Sequence, residues 1–414
     1  MSLSAGNQAA SQPPKFEPAQ ELRLALVLYG GVSLAIYING VVQELFNLVR
    51  ATAPERAIGS DPEPERVAEL SEAELNGTPG VYRELGRLLR WGDPAPNDFD
   101  DKADPVIRTR FLVDIISGTS AGGINGVFLG KALANEQAVD GLKRLWVEEG
   151  DILRLINDRT SIVDLRKLPL RKPPRSVLNS ERFYTKALEA LSQMGDDLQR
   201  DSSYVDELDL WITATDLPGL AEPIKLFDRV VWESRHRNVF HFAYWNAYAT
   251  GGGRNDFVRA NDPFMAFAAR CTSSFPVAFQ PMTLSDIDDV VATFPQEYPR
   301  ESSDSDSPAW RAFFDDYVQM DAFYKERAFA DGGYLDNKPF TYATRALLRR
   351  RADVPVDRKL IYIEPDPGHP EAEYVSRDPP DALHNLQAVF TLPRAETIRE
   401  DLDALLERNR LIRR

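Results

Sequence analysis

The sequence has few residues that could cross-link the chain covalently or anchor it in a membrane. It contains one cysteine, Cys271, so no internal disulfide can form, which fits a reducing compartment. No run of eighteen apolar residues occurs, so we expect no transmembrane helix. The first twenty residues lack the basic start and apolar middle of a signal peptide. These absences predict a cytoplasmic protein with a disordered lead over residues 1–20.

Basic residues are also fewer than acidic residues. The chain has 49 Lys and Arg against 64 Asp and Glu, which gives a formal net charge of −15. Because such an excess of acidic groups repels phosphate backbones, nucleic acid is excluded as an expected partner. Contact with a membrane surface is then expected to be local, apolar and transient. The remaining composition, 43% hydrophobic and 27% charged, is that of a globular protein with a large core.

Short apolar runs alternate with segments of helical spacing along the chain. Buried strands are predicted at residues 22–28, 111–116, 208–215 and 359–364. Helices are predicted at residues 36–49, 124–135 and 264–271. This alternation predicts an α/β fold in which a mostly parallel sheet has helices on both faces, with structure beginning at Leu22.

The domain organisation follows from shifts in composition. One domain is expected over residues 21–394, with acidic surface insertions at 51–105 and 285–325. Residues 395–414 form an amphipathic pattern without a helix stop signal. We therefore predict a C-terminal helix, and that the natural chain continues past Arg414.

The segment Gly118-Thr119-Ser120-Ala121-Gly122 joins a predicted strand to a predicted helix. A serine on such a turn is exposed as a nucleophile when small residues such as Gly118 and Gly122 let the backbone turn sharply. The amide groups at the start of the following helix favour a developing anion. Ser120 is therefore predicted to be a nucleophile, the alternative being a glycine-rich turn that only packs a helix on a sheet.

A serine needs a base to remove its proton. None of the four histidines lies in a motif suited to a catalytic triad: His236, His241, His369 and His384. Asp331 is the other candidate, because Gly332 and Gly333 after it permit a close approach to a partner loop. Taken alone, an Asp-Gly pair fits an ordinary turn equally well.

Acyl transfer also requires donors for the oxyanion, and the turn Gly30-Gly31-Val32-Ser33 would point successive amides at one spot. The alternative is a plain connection between a strand and a helix. A phosphate-binding loop is not indicated, because no Gly-Lys-Ser/Thr follows at the required spacing.

These three elements, in this order, resemble the patatin-like phospholipase family, whose motifs are a glycine-rich loop, Gly-x-Ser-x-Gly and Asp-Gly-Gly/Ala. Other segments are similar to further motifs of that family: Gly40–Val42, Asp114–Gly123, Thr213–Leu217, Arg270–Pro276 and Asp331–Pro339. The resemblance covers residues 22–50, 106–280 and 326–365.

The resemblance implies a patatin-like three-layer α/β/α sandwich and hydrolysis of acyl esters of phospholipids or other lipids. It implies a Ser-Asp dyad of Ser120 and Asp331, an oxyanion loop at 30–33, and neither metal nor cofactor. The loop departs from the family pattern Gly-Gly-Gly-x-Arg/Lys-Gly, since Val32 replaces the third glycine, Leu34 the basic residue and Ala35 the last glycine. The form Gly-Gly-Val-Ser-Leu-Ala is similar to a bacterial branch of larger patatin-related proteins, and it predicts a remodelled oxyanion site.

Two other readings remain open on the sequence. One is a Ser-His-Asp enzyme of the α/β-hydrolase type that uses His369 or His384. The other is a catalytically weak scaffold that binds lipid or a partner protein, which the altered loop and the acidic insertions suggest.

Overall fold

The computed structural model describes residues 14–31, 35–55, 66–89, 106–150, 152–165, 175–195, 203–246, 253–299, 304–364, 381–391 and 398–412. Within these ranges a seven-stranded sheet is formed by β1 (Lys15–Leu28), β2 (Val106–Gly118), β3 (Glu207–Lys225), β4 (Val230–Trp245), β5 (Arg254–Asn255), β6 (Phe329–Asp331) and β7 (Val356–Ile363).

The α-helices of the described ranges are α1 (Ala35–Thr52), α2 (Glu72–Leu75), α3 (Thr78–Leu88), α4 (Ala121–Asn135), α5 (Asp140–Arg144), α6 (Ile152–Leu155), α7 (Ser180–Ser192), α8 (Asp262–Thr272), α9 (Asp288–Val291), α10 (Asp315–Gln319), α11 (Phe340–Leu347), α12 (Ala382–Thr391) and α13 (Arg399–Ile412). A π-helical turn follows α5 at Leu145–Glu149, and 3₁₀ turns lie at Thr160–Ile162, Arg259–Asn261, Leu284–Ile287, Pro308–Phe314 and Gly332–Tyr334. No helix in these ranges is both long and apolar enough to cross a membrane.

The strand order is β5-β4-β3-β2-β1-β7, and β6 pairs with β3. Strands β7, β1, β2 and β3 are mutually parallel, whereas β4 and β6 run antiparallel to β3. The expected α/β class with a mostly parallel central sheet is confirmed. Since the carboxyl ends of the parallel strands meet at one edge, the loops that follow β1 and β2 lie side by side there.

Both faces of the sheet are covered. Along β1, Leu24, Leu26 and Leu28 enter the larger core, which helices α1, α4, α7 and α8 also build. The alternate residues Ala25 and Val27 enter a smaller core on the other face, with residues of α11. Every residue of α4 is buried, so this helix lies at the centre of the larger core. These two cores make the three layers that the sequence predicts.

The fold begins earlier than the sequence indicates. Strand β1 starts at Lys15 rather than Leu22, and Lys15 and Phe16 pair with Val106 and Ile107 of β2. The first six residues alternate between exposed and half-buried, so they lack the apolar run that marked the rest of the strand. The expectation of a disordered lead is therefore wrong for residues 15–20, and residues 1–13 lie outside the described residues.

The first acidic insertion packs against the body of the protein through helix α3, in which Pro79, Arg83 and Gly86 are buried. In the range 66–89, Arg83 of α3 is buried and donates hydrogen bonds to the carbonyl oxygens of Ala51 (3.0 Å) and Ala68 (2.5 Å). Two parts of this insertion, 56–65 and 90–105, lie outside the described residues.

The second acidic segment, 285–325, contributes more to the core than its predicted place on the surface suggests. Its aromatic residues Trp310, Phe314 and Tyr317 are buried in the larger core, and the Trp310 and Phe314 rings pack against Phe264 of α8. The composition gave no sign of this burial, because exposed polar residues such as Arg311, Asp315 and Asp316 lie between the buried aromatics. Residues 300–303 of this segment lie outside the described residues.

Candidate active site

Ser120 lies on a strained turn between β2 and α4. It has φ 53° and ψ −122°, a backbone conformation that residues with a side chain rarely adopt. Such strain persists only where the surrounding structure enforces it, and it concentrates at functional sites. The serine is the N-cap residue of α4, and only 4% of it is exposed. Its hydroxyl therefore lies beside the amino end of the central helix, in a site nearly closed to water.

The glycines of the elbow are required by close packing. A Cβ on Gly118 would lie 2.7 Å from the carbonyl carbon of Gly122, and a Cβ on Gly122 would overlap the carbonyl oxygen of Leu28 at the end of β1. A side chain at either position would push α4 away from the sheet. Gly118 and Gly122 therefore allow α4 to pack closely against the ends of β1 and β2.

Asp331 ends β6 and faces the serine. β6 occupies the same side of β3 as β2, with Gly118 opposite Ile212 and Asp331 opposite Ala214. This register places the Asp331 Oδ2 atom 3.3 Å from the Ser120 Oγ atom, which donates to it. The strand pairing thus brings together two residues that are 211 positions apart in sequence.

The Asp331 carboxylate is buried and held by its neighbours. Its Oδ1 atom accepts the Gly333 N–H (2.7 Å), and its carbonyl oxygen accepts the Thr215 hydroxyl (2.8 Å). None of Asp331 is exposed to solvent. A Cβ on Gly332 would collide with the Thr213 hydroxyl, which explains why a glycine follows the carboxylate. The hydrogen bonds leave Oδ2 directed at Ser120.

A buried arginine supports the loop beside Asp331. The Arg270 guanidinium donates to Ser180 Oγ (2.7 Å) and Ser274 Oγ (3.0 Å), and burial lowers its pKa to about 10. It also lies over the Phe279 ring, 4.3 Å from the ring centroid. The Ser274 carbonyl oxygen accepts the Asp331 N–H (3.3 Å), so Arg270 holds the segment to which β6 is bonded.

Two residues beside the elbow have roles that sequence reasoning missed. The Thr272 hydroxyl accepts the backbone N–H of Ser120 (2.7 Å). The Asn337 side chain is 1% exposed, and its amide nitrogen and oxygen have no hydrogen-bond partner among the described residues. A Cβ on Gly30 would overlap this amide, so Asn337 lies against the glycine turn. Both residues stood in matched motifs, but spacing alone does not tell which motif positions touch the serine.

The structure describes two of the four residues of the predicted oxyanion loop, Gly30 and Gly31. Gly30 is buried next to the elbow, since a Cβ on it would lie 3.2 Å from Ser120 Cβ, and its N–H donates to the Asn337 carbonyl oxygen (3.3 Å). Gly31 is half-buried. Val32 and Ser33 lie outside the described residues, so the oxyanion loop stays a prediction.

Each histidine that the structure describes contacts a residue other than Ser120. His236 Nδ1 contacts the Asp216 carbonyl oxygen (2.9 Å), His241 Nε2 contacts Asp209 Oδ1 (2.6 Å), and His384 Nδ1 contacts Asp381 Oδ1 (2.8 Å). None of these three forms a hydrogen bond with the serine, and His369 lies outside the described residues. In the described part of the chain, no group of three or more His, Cys, Asp or Glu residues is arranged to hold a metal ion.

Thr272→Val is expected to lower the free energy of unfolding by about 1–3 kcal/mol, because it leaves the buried Ser120 N–H without an acceptor. Urea denaturation measures this cost. Thr272→Ser keeps the hydroxyl and should lose clearly less stability than the valine variant. Equal losses for the two variants would show that the methyl group, and not the hydrogen bond, makes the contribution.

The chain is similar in sequence to known proteins. An uncharacterized membrane protein of Mycobacterium tuberculosis is 27% identical over 369 residues, which are 87% of this chain and 29% of that protein. The chain thus spans less than a third of the relative's length. No solved structure matches the chain. The family model described as patatin-like phospholipase matches residues 102–344, more than half of the chain and the part that contains both Ser120 and Asp331. The chain therefore belongs to the patatin-like phospholipase family, a family of lipid acyl hydrolases.

Proposed function

We propose that the protein is a serine acyl-ester hydrolase that acts on lipids through a Ser120–Asp331 dyad. The observation that carries the proposal is the hydrogen bond from Ser120 Oγ to Asp331 Oδ2 (3.3 Å), made on a strained elbow that no described histidine contacts. The family membership supports hydrolysis of lipid acyl esters in general. The dyad, the phospholipase A type of cleavage and the cytoplasmic location are our proposals.

The reaction begins with proton transfer. Asp331 Oδ2 accepts the Ser120 proton while Oγ attacks the ester carbonyl carbon, and a tetrahedral oxyanion forms. When the intermediate collapses, the carbon–oxygen bond to the alcohol breaks and Asp331 returns the proton to the leaving oxygen. Water then attacks the acyl-serine, with Asp331 as base again, and the carboxylic acid is released. Because the same carboxylate is base and then acid in each half, no second titrating side chain is required.

Backbone amides are the proposed donors to the oxyanion. The proposed donors belong to the predicted oxyanion loop, which begins at the Gly30 that lies against Ser120, and to the amino end of α4, which begins after Ser120. A single oxyanion donor typically contributes about 3 kcal/mol to the transition state. The valine in place of a third glycine would therefore change the rate strongly if it turned one amide away.

Reaction with a fluorophosphonate probe tests the activated serine directly. We expect the wild-type protein to be labelled, with the modified peptide containing Ser120, and Ser120→Ala to be unlabelled. Ser192→Ala is the matched control, because this hydroxyl only caps the end of α7 by donating to the Glu189 carbonyl oxygen (2.8 Å). Absence of labelling in folded wild-type protein would reject the enzyme proposal in favour of a lipid- or protein-binding scaffold.

A further inference from the structure

Strands β3 and β4 continue past the sheet as a two-stranded ribbon, which we call the tip ribbon (Ala221–Ser234). Its residues pair from Ala221 opposite Ser234 to Lys225 opposite Val230. A tight turn closes it, with the Leu226 N–H donating to the Arg229 carbonyl oxygen (2.8 Å) and Phe227 and Asp228 at the turn. The ribbon is thus a regular hairpin.

The tip ribbon exposes large apolar side chains on both faces. Phe227 at the turn is fully exposed, and Trp232 is 63% exposed. Trp232 shares one face with its partner Pro223, whereas Ile224 and its partner Val231 lie on the opposite face and are 42% exposed each. Monomeric proteins rarely expose apolar surface in such a contiguous group without a binding partner for it.

The base of the ribbon is fixed to the body of the protein. Arg235 forms ion pairs with Glu222 (2.6 Å) across the ribbon and with Asp316 (2.7 Å) of α10. Arg327 donates to the Gly219 carbonyl oxygen (3.2 Å). These contacts hold the direction of the ribbon, so its apolar tip is presented without an ordering cost at the moment of binding.

The ribbon leaves the sheet at the edge where the candidate active site lies. Thr213 and Thr215 of β3 contact the Gly332 and Asp331 region, and the same strand continues outward to Lys225. At about 3.3 Å per residue, the stretch from Leu220 to Lys225 projects roughly 17 Å. Phe323, 82% exposed, belongs to the loop that enters β6 at the same edge. Exposed apolar side chains of the ribbon and of this loop therefore lie at the edge of the sheet where Ser120 lies.

The distribution of apolar groups favours a lipid surface over a protein partner. A protein that docked on the ribbon would cover one face, whereas immersion of the tip covers both faces and the turn together. Phe and Trp side chains suit the boundary between lipid and water. Charge permits such contact, because the tip ribbon carries two cations (Lys225, Arg229) and three anions (Glu222, Asp228, Glu233) and is therefore close to neutral, whereas the whole chain has a net charge of −15.

We propose that the tip ribbon inserts Phe227 and its apolar neighbours into the surface of a phospholipid bilayer and holds the Ser120 edge against the lipid. The insertion itself is independent of catalysis, while its use in presenting substrate rests on the proposed function. Because the ribbon is almost uncharged as a whole, the binding should depend on apolar burial and change little with salt.

Flotation with phosphatidylcholine vesicles tests the proposal on the full chain carrying Ser120→Ala, which removes hydrolysis from the measurement. The wild-type ribbon is expected to bind, and Phe227→Ser with Trp232→Ser is expected to reduce the partition coefficient by about 30-fold or more. Leu348→Ser is the matched control, since this leucine is 60% exposed beyond the end of α11, away from the ribbon, and should leave binding unchanged. Unchanged thermal unfolding of the variants shows that they are folded.

Three results would overturn the proposal: no vesicle binding by the wild-type ribbon, equal binding by the double ribbon variant, or a dimer in sedimentation that the ribbon substitutions dissociate. The last would assign the ribbon to a second copy of the chain. Binding to vesicles by a protein that hydrolyses neither lipid nor short-chain ester would reject the proposed enzyme and leave the ribbon proposal standing. Conversely, hydrolysis of a soluble ester without vesicle binding would reject the ribbon proposal alone.

Discussion

Asp331→Asn is expected to lower kcat for ester hydrolysis by about 10²–10⁴-fold, the range that a general base contributes. Asparagine has nearly the same shape and still presents an oxygen that can accept the Gly333 N–H, so the turn after β6 should persist. The asparagine amide, however, cannot take up the Ser120 proton as Asp331 does through Oδ2, which lies 3.3 Å from Ser120 Oγ. Steady-state kinetics on a soluble short-chain ester measures the effect without involving a membrane surface.

The matched controls for this prediction are the histidine variants His369→Gln and His384→Gln. Under the dyad both should retain the wild-type kcat, because His384 is exposed and paired with Asp381 (2.8 Å). If His369→Gln instead abolished activity while Asp331→Asn retained it, the enzyme would use a Ser-His-Asp triad and the proposed dyad would be wrong. Thermal unfolding of Asp331→Asn separates a lost base from a lost fold.

The elements around the candidate site could be predicted from sequence, because each is a local pattern with a local cause. The strand before Ser120, the glycines at 118 and 122 and the buried helix after them all appear where the pattern places them. The meeting of Ser120 and Asp331 is not local. It depends on β6 pairing beside β3 in line with β2, and a three-residue strand carries no periodicity that predicts such a pairing.

Other elements were missed for identifiable reasons. Strand β4 mixes charged and aromatic residues because half of it forms the exposed ribbon, whereas its inner part buries Phe240 and Phe242 completely. Helix α7 has a strongly two-sided pattern, but its start is an Asn179 cap in which the Arg182 N–H donates to the side chain (2.9 Å). A cap of this kind follows a long polar stretch and gives little signal before the helix is known.

A second large effect is expected from Lys131→Met, which should lower the free energy of unfolding by about 3–5 kcal/mol. The Lys131 ammonium lies inside the fully buried helix α4 and contacts Asp262 Oδ1 at 2.6 Å, with neither side chain exposed. Methionine fills a similar volume but removes the positive charge, so the Asp262 carboxylate remains in the core with the Tyr298 hydroxyl (2.9 Å) in place of a cation. Leaving one charge of a buried pair uncompensated costs far more than losing a surface pair.

The pair Arg144–Glu148 supplies the comparison, since its atoms are 3.3 Å apart and both side chains are about half exposed or more. Arg144→Met should cost less than about 1 kcal/mol in the same urea titration. The double variant Lys131→Met with Asp262→Leu removes both charges and should recover part of the loss of the single variant, because the buried carboxylate is removed together with its cation. If Lys131→Met proved as mild as Arg144→Met, the link between α4 and α8 would rest on apolar packing. The Lys131–Asp262 ion pair would then contribute little to holding α4, whose N-cap is Ser120, against α8, which ends at Thr272.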